Sequence, residues 1–225
     1  MAVSPLMFNV IWITRTQPSA DESAKNWQDA GFIPLVSPLL TVDAVPHDPL
    51  PKSSILIFTS KNGVDHAGPS LGRRAICVGD ATAAHARRAG YKDVVSVGGV
   101  SADITAWIIQ NLSQDQPLIH VSGCHIRGQI SEDLSASGFK ASRVITYSSA
   151  PNLIRPEKDV DMVALYSPLA ADTFAKLMSG DDLSDMSAVS ISPATDAVLD
   201  GLNLKARLIA EQPNELALVS AALNP

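Results

Sequence analysis

The 225-residue sequence predicts an α/β protein: two similar domains with parallel sheets flanked by helices, joined by a two-stranded linker, with a cleft between them. Three observations predict it. Short apolar runs that end in small, hydroxyl or glycine residues alternate with helix-period segments along the whole chain, the pattern of strand–loop–helix units. That pattern occurs twice, with Gly31 matching Gly138, Ser60 matching Ser167, Thr82 matching Thr195 and Asp103 matching Glu215. Two proline-bearing stretches then divide the chain into a short head, a long middle and a tail.

In order, residues 11–13 read as a strand, and Ser19 with Glu22 three residues later reads as a capping box opening a helix. Gly31 stops that helix, and 32–36 is the next strand. Pro38, Pro46, Pro49 and Pro51 are too many for a sheet centre or a helix, so 38–52 is read as the first linker. Strands at 54–59, 75–78, 94–97, 118–121 and 142–147 follow, separated by helices at 62–67, 81–89 and 101–112. A further helix carries Ile126, Ile130 and Leu134 on its buried face and ends at Gly138. Residues 148–157, with Pro151 and Pro156, form the second linker. The tail, from Val160 to Leu223, repeats strand and helix three times, with stops at Gly180 and Gly201 and a final helix opened by Pro213-Asn214-Glu215. The head holds two strands and one helix, too little to fold alone, so it must complete the tail's sheet. The expected domains are therefore 1–37 plus 158–225, and 53–147.

Composition bounds the function. A hydrophobic fraction of 46% with 18% charge is globular. No apolar run is long enough for a membrane span, and residues 1–9 lack the charged and apolar regions of a secretory signal, so the expectation is a soluble cytoplasmic protein. A net charge of −6 and 5% aromatic residues argue against nucleic acid as a partner. An acidic small molecule is not excluded, because helix N-termini and hydroxyls hold anions without adding formal charge. Two cysteines make no disulfide framework, and Cys77, inside an apolar run, reads as a reduced core thiol.

The candidate chemistry lies at strand ends, where open parallel sheets bind ligands. Ser60 and Ser167 follow strands directly and suit either a ligand or a helix cap; Thr82 and Thr195 present the same choice. Arg15 suits a carboxylate or a solvated surface, and Arg127 stands in the matching loop of the second copy. Tyr147 ends the strand before the second linker, where it either packs or faces the cleft. The five histidines show no metal-ligand spacing, and His120 reads as a residue packed on a sheet face. Cys124-His125 are sequence neighbours that would not face one another as nucleophile and base. No dinucleotide or phosphate-loop fingerprint occurs.

Taken together, these segments resemble the uroporphyrinogen-III synthase family. The resemblance is carried by Thr14-Arg15 at the first strand end, Phe58-Thr59-Ser60-Lys61-Asn62-Gly63-Val64, Val78-Gly79-Asp80-Ala81-Thr82-Ala83, Val144-Ile145-Thr146-Tyr147 and Tyr166-Ser167-Pro168, in the family's order. It implies cofactor-free closure of hydroxymethylbilane to uroporphyrinogen III, in tetrapyrrole synthesis; the residues read without a metal site, and a monomer is the default expectation. Tyr147 is the implied proton-transfer residue. Thr14, Arg15, Ser60, Lys61, Asn62, Gly79, Thr82, Ser122, Gly123, Ser167 and Thr195 are the implied substrate ligands. The second-domain loop departs from the family pattern: Ile191-Ser192-Pro193-Ala194-Thr195 lacks its glycine, and Tyr166 replaces the usual phenylalanine or threonine. The alternative is a non-catalytic two-domain binder of a small polyanion.

Overall fold

The computed structural model describes residues 10–98, 101–126 and 128–224. The readings made on residues 1–9 and on Arg127 lie outside the described residues. The chain runs β1 (Val10–Ile13), α1 (Ser19–Asp29), β2 (Ile33–Val36), β3 (Leu40–Ala44), β4 (Ile55–Phe58), α2 (Lys61–His66), β5 (Arg74–Cys77), α3 (Asp80–Arg88) and β6 (Lys92–Ser96). It continues through α4 (Ser101–Asn111), β7 (Leu118–Gly123), α5 (Ile130–Ala136), β8 (Ala141–Pro151), β9 (Met162–Leu165) and α6 (Pro168–Leu177). Last come β10 (Ser187–Ser190), α7 (Pro193–Asp196), a 3-10 turn (Ala197–Leu199), β11 (Ala206–Ile209) and α8 (Glu215–Leu223).

Two compact units result, Met1–Thr41 with Ala150–Pro225, and Val42–Ser149. The first holds a sheet of order β11-β10-β9-β1-β2. Every pairing in it is parallel, and the head strand β1 joins the tail through Ile11 opposite Met162 and Ile13 opposite Ala164. Alternation along these strands serves two cores at once. Ile11, Ile13, Ala164 and Val189 pack with Trp27 and Leu218 on one face. Trp12, Val163, Leu165 and Ala188 pack with Phe174 and Leu183 on the other. Burial on both faces is what a helix-flanked parallel sheet requires, and it is why these strands read as unbroken apolar runs.

The second unit holds a sheet of order β3-β8-β7-β4-β5-β6. Leu56, Phe58 and Val121 face one core, while Ile55, Ile57 and Leu118 face the other with Ile104, Ile108, Ile130 and Leu134. Cys77 lies in the first of these cores, where burial pushes its thiol up to about 12.

Several local expectations are corrected. Ser19 is the first residue of α1 and Pro18 takes the cap position with no side-chain cap, so the Ser19–Glu22 capping box does not form. Ile126 lies before α5, which starts at Ile130, so only Ile130 and Leu134 of that triplet belong to the helix. The segments read as linkers carry strand. β3 fits between Pro38 and Pro46, and β8 runs to Pro151 rather than ending at Tyr147. Proline is excluded from sheet centres because it lacks a ladder donor, and β3 is an edge strand. Val45 donates to the Thr146 carbonyl and Asn152 to the Leu39 carbonyl, so β3 and β8 run antiparallel. The chain passes between the two units within β3 and within β8. Glycine is required at the stops of α1 and α5, where Gly31 and Gly138 have φ of 94° and 86°.

His120 packs on the sheet face, 2% exposed, and neither ring nitrogen has a hydrogen-bond partner among the described residues. Burial first, then the Arg143 guanidinium opposite it, lowers its pKa to about 4, against an ordinary value of 6.5. The unfolded chain therefore takes up a proton that the folded chain refuses, and stability falls as pH drops from 6.5 towards 4. Unfolding titrations at pH 7 and pH 4.5 should show His120→Leu losing about 2 kcal/mol less stability than the parent chain over that interval. Equal losses would assign the acid sensitivity to other groups.

Candidate functional site

Each sheet reverses its direction of growth at one place. In the second unit the chain lays β4, β5 and β6 outward on one side, then β7 and β8 on the other, so the switch falls between β4 and β7. In the first unit it falls between β1 and β9. Loops at the carboxyl ends of the two strands flanking such a switch splay apart and leave a crevice, which is where open α/β sheets bind ligands.

At the β4/β7 switch the structure brings three expected residues together. Ser60, just past β4, caps α2 by accepting from the Gly63 N–H at 3.1 Å. Its hydroxyl lies 2.9 Å from the Tyr147 hydroxyl, across 87 residues of sequence. Tyr147 is aimed there by an irregularity in the β7–β8 ladder: Ser122 pairs with Ile145, but Gly123 pairs with Tyr147, so Thr146 is the extra residue of a bulge. Gly123 makes room for the ring. A Cβ there would lie 2.6 Å from Tyr147 Cε2 and 2.8 Å from Cζ. Gly63 has a comparable reason, because a Cβ on it would lie 3.0 Å from the Val121 carbonyl oxygen, which α2 must approach.

The half-buried His66 completes this group. Its ring centroid is 5.5 Å from that of Tyr147, and its Nδ1 lies 2.8 Å from the Asn62 carbonyl, an acceptor that assigns the ring proton to Nδ1. Arg143 fastens the other side. Its Nε donates to Ser122 Oγ at 2.8 Å, and its Nη2 donates to the carbonyls of Gly123 and Cys124 at 2.7 and 2.9 Å. Ser122 is thus held inside the unit. Lys61 and Asn62 open α2, half-buried beside Ser60.

Gly79 stands one strand over, at the end of β5, and is the cap residue of α3 with no side-chain cap bond. Its φ of −154° suits any residue, and among the described residues a Cβ on it would meet nothing within 4 Å. Neither the backbone nor the described packing asks for glycine here, and α3 starts without a side-chain cap from this residue. Thr82, in the first turn of α3, is 7% exposed.

The β1/β9 switch of the first unit carries Thr14, Arg15, Tyr166 and Ser167. Thr14 is buried and donates to the Ala164 carbonyl at 2.6 Å, stapling β1 to β9. Ser167 caps α6 as Ser60 caps α2, accepting from Ala170 N–H at 3.2 Å. Arg15 pairs with Glu215 at 2.8 Å and lies over the Tyr166 ring. The loop matching Gly79–Thr82 is closed by its own side chains. Ser192 Oγ accepts from Thr195 N–H at 3.3 Å and meets Thr195 Oγ1 at 3.0 Å, and Thr195 is fully buried. Arg207 grips Asp196 through two nitrogens and reaches Asp200 at 2.8 Å, fixing α7 from below.

Sequence reasoning missed His66, Arg143, and the partnership of Tyr166, Trp27 and Glu215. A signal existed for the last: a buried indole N–H needs an acceptor, and a glutamate opening an apolar helix needs a donor. Among the described residues no three His, Cys, Asp or Glu side chains gather as a metal site, and no helix is long and apolar enough to cross a membrane.

Comparison with known proteins follows the same line. No curated protein matches the chain in sequence. Among solved structures it is similar to uroporphyrinogen-III synthetase from Helicobacter pylori, at 19% identity and a TM-score of 0.64, covering 96% of this chain and 99% of that one. It is also similar to a mutant uroporphyrinogen III synthase from the extremely thermophilic bacterium Thermus thermophilus, at 15% identity and a TM-score of 0.51, covering 96% and 97%. These likenesses establish a shared fold. The family described as uroporphyrinogen-III synthase HemD matches residues 21–220, nearly the whole chain, and the protein belongs to that family of enzymes.

Proposed function

We propose that this chain closes hydroxymethylbilane into uroporphyrinogen III with inversion of ring D, acting in the cytoplasm as a monomer. Closure breaks the C–O bond of the hydroxymethyl group and releases water, so the activity is that of a carbon–oxygen lyase. Family membership supports the reading. The observation that carries it is the relay at the β4/β7 switch, Gly63 N–H to Ser60 Oγ to Tyr147 hydroxyl.

Either oxygen of the Ser60–Tyr147 contact can donate, and one of the two arrangements serves the reaction. Gly63 occupies one lone pair of Ser60, so the Ser60 hydrogen can be given to the Tyr147 oxygen. The phenol hydrogen is then available to the leaving hydroxyl, which departs as water and leaves a cationic azafulvene. The phenolate left behind keeps the Ser60 hydrogen bond and regains a proton when the attacked pyrrole carbon loses its own. Selecting the inverted ring over simple closure is a matter of holding the bilane in one geometry. The ligand roles divide by exposure. Arg15, Ser60, Lys61, Asn62, Gly79 and Ser167 contact the acidic arms, while the buried Thr14, Thr82, Ser122, Gly123 and Thr195 shape the loops that do so.

Hydroxymethylbilane incubated with the protein should yield the type III ring faster than spontaneous closure. Formation of the symmetric type I ring alone, at the uncatalysed rate, would reject the activity. Tyr147→Phe is expected to slow turnover roughly tenfold to a hundredfold, the worth of one general-acid contribution, with thermal unfolding unchanged. Gly123→Ala forces the Tyr147 ring aside and should slow turnover as much. Adding Gly123→Ala to Tyr147→Phe should then cost little more, whereas a multiplied loss would mean that Gly123 acts apart from Tyr147.

A further inference from the structure

Arg15 is held along one edge. Its Nη1 donates to Glu215 Oε2 at 2.8 Å and to Ser23 Oγ at 3.2 Å, and its guanidinium carbon lies 4.6 Å from the centroid of the Tyr166 ring. Among the described residues, the hydrogen bonds of Arg15 are made through Nη1, and the side chain is 31% exposed. A guanidinium with Nη1 occupied still offers Nε and Nη2 as a parallel pair of donors, the geometry that takes a carboxylate bidentately.

The carboxylate that holds Nη1 is itself fixed at every contact. Glu215 Oε1 accepts from the Tyr166 hydroxyl at 2.9 Å, and Oε2 accepts from Ser23 at 2.9 Å. The Tyr166 hydroxyl in turn accepts from Trp27 Nε1 at 3.0 Å, and Trp27 is fully buried in the core of that unit. Burial, followed by the Glu215 charge, holds the Tyr166 phenol well above its usual range, so it remains a donor to Glu215. Glu215 opens α8, where the helix dipole favours a negative charge. The chain Trp27, Tyr166, Glu215, Arg15 therefore runs from a rigid core to a half-buried cation. It uses none of the parts that move the proton.

We propose that Glu215 and Tyr166 are positioning residues that aim the Nε–Nη2 edge of Arg15 at one carboxylate arm of the substrate. The proposal rests on the functional reading above and names the specificity device of the first unit. Because Glu215 offsets much of the guanidinium charge, the gain is in geometry more than in attraction at a distance.

The test is saturation kinetics with hydroxymethylbilane on the full chain, comparing Glu215→Ala, Glu215→Gln, Tyr166→Phe, Arg15→Ala and the double variant Arg15→Ala with Glu215→Ala. Arg15→Ala and Glu215→Ala should each raise KM about tenfold, the scale of one charge-assisted hydrogen bond, with kcat nearly constant. Glu215→Gln keeps an acceptor and should fall between Glu215→Ala and the parent chain. Tyr166→Phe deletes one hydroxyl and keeps the ring, so it reads the same chain should Glu215→Ala melt early; it should raise KM in the same direction. The double variant should show the KM of Arg15→Ala alone. A multiplied KM in the double variant, an unchanged KM in Glu215→Ala and Tyr166→Phe, or a lowered KM in Glu215→Gln would each overturn the proposal while leaving the activity standing. A parent chain that produces no type III ring would overturn the activity, and this proposal with it.

Discussion

The parallel pairing of β1 with β9 is the contact on which the first unit depends. It joins Ile11 to Met162 and Ile13 to Ala164, and the Thr14 hydroxyl bonds the Ala164 carbonyl at the end of the same pair. Without it β9 would be an open apolar edge, and β1 and β2 would be a two-stranded fragment with nothing to bury against. The pairing also creates the place where strand order reverses, and so brings Arg15 beside Tyr166. Architecture and site have the same cause: the interrupted sheet must be closed by a strand from the far end of the chain.

Much of this was legible because the signals are short-ranged. Strand runs, helix stops at Gly31 and Gly138, and serine caps at Ser60 and Ser167 are decided by residues within a turn of one another. Failures came where a local rule met a tertiary competitor. The Ser19–Glu22 spacing fits a capping box, but Pro18 takes the cap and leaves Ser19 inside the helix. Ile126 keeps helical period with Ile130 and Leu134, yet the chain between β7 and α5 turns before helix begins. The prolines around β3 argue against a sheet centre and say nothing against an edge. Site geometry was less legible still. That Tyr147 stands at a strand end is visible in the sequence; that a bulge at Thr146 and a missing Cβ at Gly123 turn it onto Ser60 is not, because ladder register between strands far apart in sequence has no local marker.

The two units repeat one plan but have diverged in how open their second loops are. Gly79 gives α3 no side-chain cap, whereas the matching Ser192 folds its hydroxyl onto Thr195 and closes the start of α7. A hydroxyl-bearing cap satisfies an orphan amide, which stabilises the helix and at the same time removes that donor from any ligand. The loss of glycine that the sequence shows at position 192 is therefore more than a loss of space. It converts a loop that could receive an anion into one that is satisfied within its own unit, and Arg207 on Asp196 reinforces the change.

That divergence bears on how an acidic chain could hold an acidic substrate. The net charge of −6 leaves no surplus of cations, and the arginines seen in the structure are largely committed. Arg73 and Arg143 donate to backbone carbonyls, Arg207 to two aspartates and Arg155 to Asp181. The strand ends of the second unit offer mainly neutral donors, the Ser60 and Tyr147 hydroxyls and the start of α3, with Lys61 beside them. Neutral donors fixed by the fold exert short-range, directional attraction and almost none at the Debye length, so they reward a correctly placed carboxylate and ignore a misplaced one. For a flexible bilane whose ring closure must follow one geometry among several, selectivity of that kind is worth more than strong attraction. An oriented guanidinium at Arg15, partly neutralised by Glu215, would fit the same requirement, because a bidentate grip on one arm would not draw every acidic arm towards it.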